Sequence, residues 1–412
     1  MVLVAKHSVK YMNKSDKYTK NSINVQIVYR NYKPLHKIHE SLIESPPKGV
    51  SYIVPKPIKH IGKLTKIYKI LGDVGVVKKI IQMFQQAVFE NEKLSKSDDI
   101  NLIHYINIIS RTIPPKHYIV EFEHPSALTN FNGDSEYLLD QVARFLENDM
   151  CKAIICMSEA AKRSLINIFD ARYSKIENKV KVIYPAMDVK KIMSIKPDYK
   201  LVNNNNCIKL LFVGNGVYRK GLEEVLWAFK KYQSEVSNNL LELYIVSNDA
   251  QAVIDYYDVT NVKHYKSNYS KKEIIKYFFK TVDYFIMPTK ADTFGMVFVD
   301  ALAAGTPVIS TTQYAVPEIV TDQIDGLLLP YRGLLDKVDL PTREQNQKTN
   351  TKNIDFKLAG SIFELLTKIV GEDDLRKVLS ENSIKKFRDN GVLSIDSRNK
   401  KFLEVYQRAL RQ

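Results

Sequence analysis

Two aspartates lie eight residues apart on either side of a predicted helix start. The segment Ala291–Asp300 follows an apolar run that predicts a buried strand, and Gly295 opens the helix. The first N–H groups of a helix have no partner within it, so a helix start binds anions. Asp292 and Asp300 can accept hydrogen bonds from a sugar and from a ribose. This combination predicts a sugar-nucleotide site, with phosphates on the main-chain amides of Phe294, Gly295, Met296 and Val297.

A basic pair follows a second predicted strand. The strand at 208–213 leads into Gly214, then Arg219 and Lys220, and Gly221 opens a helix. This turn lacks the third glycine of the dinucleotide pattern G-x-G-x-x-G, and it lacks the G-K-[ST] ending of a P-loop. Arginine forms bidentate hydrogen bonds with phosphate, and lysine supplies a point charge. We therefore predict that Arg219 and Lys220 bind a diphosphate.

Short apolar runs alternate with longer amphipathic stretches along most of the chain. In the first half we predict strands at 24–29, 52–55, 102–105, 118–122, 152–157 and 180–184, and helices at 75–89, 133–148 and 158–169. In the second half we predict strands at 208–213, 241–246, 283–287 and 307–310, and helices at 221–233, 271–279 and 295–304. This alternation is typical of α/β proteins with doubly wound parallel sheets.

The alternation pauses at a polar stretch that contains four consecutive asparagines, Asn203–Asn206. Such a stretch is typical of a linker or surface loop between domains. We predict one Rossmann-like domain over residues 1–190, joined by a C-terminal helix at 395–412, and a second over 191–394. Within the second domain, residues 331–355 form a polar insertion.

Taken in order, these motifs resemble glycosyltransferase family 4, the retaining enzymes of the GT-B fold. The strand, glycine, Arg-Lys-Gly arrangement precedes an acid-x-Phe-Gly-x4-acid block that continues into Gly305-Thr-Pro-Val-Ile. Val182–Asp188 resembles the family's segment before the linker, and Ser158-Glu159 resembles its Ser-Glu pair. Ala315–Val320 resembles its Pro-Glu-Ile segment. The resemblance covers roughly residues 100–330 and the last helix.

The resemblance implies two Rossmann-like domains that face a central cleft. The first would bind a glycan or lipid-linked acceptor, and the second a nucleotide sugar, with UDP- or GDP-sugar expected as the donor. By analogy Asp292 contacts the transferred sugar, Asp300 holds the ribose, and Lys220 with Arg219 neutralises the leaving phosphate. The family's N-terminal histidine falls on His124, which ends a predicted strand.

The chain departs from the family at three places. Both acids are aspartates where glutamates are usual, Asn215 stands where an arginine follows the strand glycine, and Tyr29–Pro34 replaces a glycine-rich loop. These departures leave a second hypothesis open, a catalytically degenerate protein that binds carbohydrate or an anionic surface. A third is another GT-B enzyme, such as a sugar-nucleotide epimerase, which would convert the donor without an acceptor. The sequence has no convincing Asp-x-Asp metal motif, so we expect neither an essential metal nor a cofactor.

The charge distribution bears on partners. The chain has 61 basic and 46 acidic side chains, a net charge of +15, and residues 1–100 hold ten of that excess. An amphipathic stretch at 56–71 either presents its lysines to solvent or binds an anionic membrane surface or a lipid-linked acceptor, at about 1 kcal/mol per well-placed lysine. Its lysines include Lys59, Lys63, Lys66 and Lys69. No nucleic-acid motif is present, so no nucleic-acid partner is expected.

No apolar run approaches the ~20 residues of a membrane span, and no signal-peptide core is evident. We therefore expect a cytoplasmic protein that can lie on the inner face of a membrane.

Overall fold

The computed structural model describes residues 22–29, 39–54, 98–110, 112–129, 135–203, 205–236, 240–388 and 391–411. These residues form two compact units. The first contains the residues up to Met157, then Ala161–Pro185 and the chain from Asp396 onward. The second contains Ser158–Ala160 and Ala186–Ile395.

The first unit is built on a sheet of six parallel strands. The strands are β1 (Ile23–Val28), β2 (Val50–Ile53), β3 (Leu102–Ile106), β4 (Tyr118–Phe122), β5 (Cys151–Cys156) and β6 (Val180–Val182). Their spatial order is β2-β1-β3-β4-β5-β6. The described helices of this unit include α1 (Glu40–Glu44), α2 (Glu136–Glu147) and α3 (Glu159–Phe169). Every side chain of β3 and β4 is buried, as expected for parallel strands with both faces covered.

A second sheet of six parallel strands forms the second unit. It contains β7 (Ile208–Val213), β8 (Leu241–Val246), β9 (Val262–Tyr265), β10 (Tyr284–Ile286), β11 (Val308–Thr311) and β12 (Gly326–Leu329). Their spatial order is β12-β11-β10-β7-β8-β9. The strand order therefore reverses between β7 and β10. In open α/β sheets, ligands bind beyond the carboxyl ends of the strands at such a switch point.

Nine helices follow this sheet's strands or connect them in the described residues of the second unit. They are α4 (Val189–Met193), α5 (Leu222–Glu235), α6 (Gln251–Tyr257), α7 (Lys271–Ile274), α8 (Met296–Ala303), α9 (Val316–Ile319), α10 (Arg343–Lys348), α11 (Phe356–Ile369) and α12 (Asp373–Lys385). A π-helical turn, Ile275–Phe279, continues α7, so the helix predicted at 271–279 changes its hydrogen-bonding pattern after one turn.

The α/β fold class with two parallel sheets is confirmed. Our prediction does not include β9, β12 and α6, which are short. It identifies 331–355 only as a polar insertion, and this segment contains α10 and a 3₁₀ turn at Leu334–Asp336. The helix predicted at 75–89 and the amphipathic stretch at 56–71 lie outside the described residues.

The last helix, α13 (Ile395–Arg411), packs in the core of the first unit. The Tyr406 hydroxyl lies 2.9 Å from the Tyr52 hydroxyl and 3.1 Å from Nδ1 of His104. Near the start of the helix, the buried Arg398 donates to the Ser41 hydroxyl and to the Ser45 carbonyl. Buried polar groups need such partners, so this network specifies where the helix docks.

Glu121 on β4 is the acid at the centre of this network. His104 Nε2 lies 3.0 Å from Glu121 Oε2, and His39 Nδ1 lies 3.9 Å from it. Burial alone would raise the pKa of Glu121. The His104 hydrogen bond and the charges of His39, His104 and Arg398 outweigh burial, so the pKa lies below its ordinary value of 4.5.

We expect Glu121→Gln to lower the free energy of unfolding by about 1–3 kcal/mol at pH 7, because a buried charged hydrogen bond is lost. A lowered folded-state pKa gives stabilisation that is complete above pH 4.5 and disappears as the pH falls through the folded-state value. The difference in the free energy of unfolding between wild type and variant should therefore become smaller in acid. Urea denaturation at pH 7 and below pH 4 measures it, with the exposed Glu404→Gln as control. A gap independent of pH would contradict the assignment.

Candidate functional site

Two loops meet where the strand order of the second sheet reverses. One follows β7 and contains Gly214 and Lys220, and the other follows β10. Gly221 has φ +79°, and a Cβ placed on it would lie 2.2 Å from the Pro288 carbonyl oxygen. The Lys290 N–H also donates to the Arg219 carbonyl at 2.8 Å. A glycine at 221 is therefore required for the close approach that brings the loops together.

The contact of these loops pairs the predicted lysine with the first predicted acid. Lys220 Nζ lies 3.7 Å from Asp292 Oδ2, and both side chains are mostly buried. Burial lowers the pKa of the Lys220 ammonium, and the Asp292 carboxylate counteracts this. Gly214 lies beside the lysine, since a Cβ there would be 2.9 Å from Lys220 Cδ and Nζ. Gly214 therefore leaves the space that the ammonium occupies.

Arg219 is held by main-chain contacts on both sides. Its Nη1 donates to the Ala291 carbonyl, and its own N–H donates to Asn350 Oδ1 at 3.3 Å. Asn215, which stands where the resembled family has an arginine, accepts from the Asn248 N–H at 2.8 Å. Asn215 thus stabilises the loop, while Lys220 and Arg219 supply the positive charge predicted from the sequence.

The predicted helix start forms at α8. Gly295 precedes the helix with φ +83°, and a Cβ on it would lie 2.5 Å from the Phe298 ring. The Phe294 side chain is buried, so a ligand could contact this residue through its main chain alone. Met296 and Val297 are half-buried in the first turn. The structure thus forms the main-chain feature to which we assigned phosphate binding.

Asp300 lies in the second turn of α8. Its Oδ1 is 2.8 Å from Nζ of Lys271, the first residue of α7. The two predicted aspartates are therefore each paired with a lysine of the same unit. Sequence reasoning identified one lysine, Lys220, and missed the other.

Gln313 is a second residue that the sequence did not reveal. Its side chain is fully buried beyond the end of β11, and its Oε1 accepts from the Asp292 N–H at 2.9 Å. The next residue, Tyr314, has φ +49°, and its N–H donates to the Asp336 carboxylate. No local pattern signals this role, because the glutamine and the aspartate are 21 residues apart.

The polar insertion at 331–355 packs against both loops. A Cβ on Gly333 would lie 2.1 Å from the Lys290 carbonyl oxygen. The Lys290 ammonium pairs at 2.8 Å with the fully buried Glu224 and donates to the Asn353 carbonyl at 3.1 Å. The insertion therefore packs against the loop that carries Lys290 and is a structural part of the site.

His124 belongs to the first unit, whereas the residues predicted to bind the donor belong to the second. It is fully buried and precedes a 3₁₀ turn, Pro125–Ala127. Its Nδ1 accepts from the Ser126 N–H at 3.1 Å, and burial lowers the pKa of the imidazole to about 3. The ring is therefore neutral at physiological pH.

The remaining predictions concern membranes and metals. Lys59, Lys63, Lys66 and Lys69 lie outside the described residues. Within the described ranges, no helix has the length and apolar character needed to cross a bilayer. In the same ranges no three His, Cys, Asp or Glu side chains form a group that could hold a metal ion.

The family comparison matches the part of the chain that contains this site. The family model described as glycosyl transferases group 1 matches residues 197–339. The capsular polysaccharide biosynthesis glycosyltransferase CapM of Staphylococcus aureus is 25% identical over 347 residues, which cover 80% of each chain. An uncharacterised 41.2 kDa protein of the cps region in Klebsiella pneumoniae is 27% identical over 205 residues, 49% of this chain. The match spans 55% of that relative's length.

Solved structures show the same architecture. HepE from Anabaena in complex with UDP-glucose has a TM-score of 0.58 at 12% identity and covers 93% of this chain and 99% of its own. A glycosyltransferase from Rickettsia africae has a TM-score of 0.55 at 14% identity and covers 96% and 100%. The fold is that of GT-B glycosyltransferases.

We expect Gly221→Ala to destabilise the second unit more than Gly371→Ala does. Both glycines have positive φ, at +79° and +90°, so both substitutions cost about 1 kcal/mol of backbone strain. Only at 221 would the new methyl group meet a main-chain oxygen, which adds about 1–3 kcal/mol. Thermal unfolding of the two variants measures the difference. Equal losses would show that the loops can separate without cost.

Proposed function

We propose that this protein is a retaining glycosyltransferase that moves a sugar from a nucleoside diphosphate sugar to a glycan or lipid-linked acceptor. The carrying observation is the mostly buried Lys220–Asp292 pair at the switch point of the second sheet. A cation and an acid at 3.7 Å, beside a helix start, suit a diphosphate joined to a sugar. UDP- and GDP-sugars are the donors that we propose.

Each donor group has a partner in this proposal. The diphosphate binds the amides at the start of α8 together with Lys220 and Arg219. Asp292 accepts hydrogen bonds from the transferred sugar, and Asp300 accepts them from the ribose. The mostly buried position of Lys220 strengthens its attraction for phosphate, because a site of low dielectric screens charge poorly.

The reaction follows from the charge that develops. The bond between the anomeric carbon and the phosphate oxygen breaks, and its electrons go to the phosphate. The acceptor hydroxyl forms the new bond on the same face of the sugar, and its proton goes to the departing phosphate oxygen. Lys220 and Arg219 stabilise the negative charge on the leaving group, which is usually a large catalytic contribution. We propose that these two cations allow transfer without a metal ion.

His124 has a different role in this proposal. A neutral imidazole can accept or donate a hydrogen bond without adding charge near the sugar, where positive charge develops in the transition state. Because its side chain is fully buried, we propose that His124 positions the main chain of its own loop for the reaction and does not contact the sugar through its ring. The acceptor would bind to the first unit, with Lys59, Lys63, Lys66 and Lys69 at an anionic membrane surface on the cytoplasmic side.

The alternative is a degenerate protein that binds carbohydrate or an anionic surface without turnover. The observation that favours it is that both acids are aspartates, each one methylene shorter than glutamate. The measurement that separates the two functions is the release of UDP or GDP from UDP-glucose, UDP-N-acetylglucosamine or GDP-mannose over time. Release above background, lost in Lys220→Ala, supports the transferase. Binding without release supports the alternative.

We expect one nucleotide of the series UDP, GDP and ADP to raise the melting temperature, because a ligand at 100 times its Kd adds about 2.7 kcal/mol of apparent stability. Lys220→Ala should lose most of this shift, since it removes the buried cation. Lys230→Ala removes an exposed lysine of α5 and should keep it. If no nucleotide stabilises the wild type, the proposed donor site is wrong.

The pH dependence of turnover should show no ionisation of His124 between pH 5.5 and 8. Burial lowers the pKa of its imidazole to about 3, so the neutral form is already complete across this range. We therefore expect His124→Asn to lower the rate by a similar factor at every pH in this range. If the pH–rate profile of the wild type showed an ionisation near pH 6.5 that the variant lacked, this assignment would be wrong.

A further inference from the structure

Lys271, which pairs with Asp300, has no role in the function proposed so far. Lys271 Nζ lies 2.8 Å from Asp300 Oδ1 and 3.2 Å from Met187 Sδ. The Lys271 side chain is 31% exposed and that of Asp300 is 18% exposed, so both can be reached from solvent. An ammonium has three N–H donors. These two contacts use at most two of them.

The position of Lys271 on its helix is well determined. The preceding residue, Ser270, caps α7: its hydroxyl accepts from the Glu273 N–H, and the Glu273 carboxylate accepts from the Ser270 N–H at 2.8 Å. This capping box orients the first turn, and with it the stem of Lys271. The ammonium is therefore held at Asp300 by the fold of α7 as well as by its charge.

Stability alone is a weak reason for this pair. Ion pairs between partly exposed side chains contribute about 0–1 kcal/mol. The pair lies one helical turn beyond the α8 start, where the proposed donor places its phosphates. In the proposed function Asp300 accepts from the ribose, so a ribose there would also meet the Lys271 ammonium, 2.8 Å from Asp300 Oδ1.

A ribose hydroxyl can form hydrogen bonds with a carboxylate and with an ammonium at the same time. Each ribose hydroxyl has one O–H donor and lone pairs that accept. A carboxylate can only accept, so it leaves the lone pairs of the hydroxyl without a partner. An ammonium supplies the missing donor, and hydrogen bonds to charged groups are the stronger kind.

We propose that Lys271 is a donor-specificity residue, which donates to the 2′-hydroxyl of the nucleotide ribose while Asp300 accepts from it. This inference rests on the proposed function, because it requires the donor's phosphates at the start of α8. It assigns the recognition of ribonucleotides over 2′-deoxyribonucleotides to a lysine and an aspartate acting together. Lys271 is not a catalytic residue, since it touches neither the sugar nor the leaving oxygen.

Calorimetry of the full chain with UDP, dUDP, GDP and dGDP tests the proposal. We expect wild type to bind the preferred ribonucleotide roughly tenfold or more tightly than its deoxy counterpart, as the loss of a charged hydrogen bond predicts. Lys271→Met keeps the length of the stem but removes the donor, and should reduce this preference to about twofold or less. Lys272→Met alters the exposed neighbouring residue and should keep the preference of the wild type.

Each other outcome overturns the proposal in a distinguishable way. Equal weakening of both nucleotides in Lys271→Met would place the lysine at the phosphates. If Lys271→Met kept the wild-type preference for the ribonucleotide, Lys271 would not contact the ribose hydroxyl. If wild type bound no nucleotide at all, both the proposed function and the proposal for Lys271 would be wrong. Asp300→Asn provides a second variant, and its effect on the preference should not add to that of Lys271→Met, because the two side chains share one hydroxyl.

Discussion

The contact between a glycine α-carbon and a carbonyl oxygen at the switch point of the second sheet determines the rest of the site. Gly221 approaches Pro288 so closely that no side chain fits between them. This approach brings Lys220 to Asp292 and allows the Lys290 N–H to reach the Arg219 carbonyl. The charged groups are thus positioned by main-chain packing.

The electrostatics of the site follow from that packing. Two lysine–aspartate pairs, Lys220–Asp292 and Lys271–Asp300, are arranged along one helix start. Neither lysine is exposed enough for water to screen it fully, so each pair presents charge that a polar, negatively charged ligand can use. Such a site suits the ligand that we propose, which carries both hydroxyls and phosphates.

The fold could be predicted from the sequence because parallel strands that are buried on both faces appear as short, mostly apolar runs. The strands at 118–122, 208–213 and 241–246 were placed at their observed ends for this reason. Lys220, Asp292 and Asp300 could be predicted because a strand, a loop and a helix start are local features. Gln313 and Lys271 could not, because their contacts join segments far apart in the chain. The insertion at 331–355 was recognised by its polarity, but its support of Lys290 depends on tertiary packing.

The place of α13 has a consequence for how the chain matures during synthesis. The second unit is nearly continuous in sequence, whereas the first needs Tyr406 and Arg398 from the far end to complete its buried network. A chain is made from its N-terminus, and domains generally fold as units as they emerge. The order of completion is therefore the reverse of the order of synthesis. The second unit can therefore fold first. The first unit lacks part of its core until α13 has been synthesised, some two hundred residues after β6.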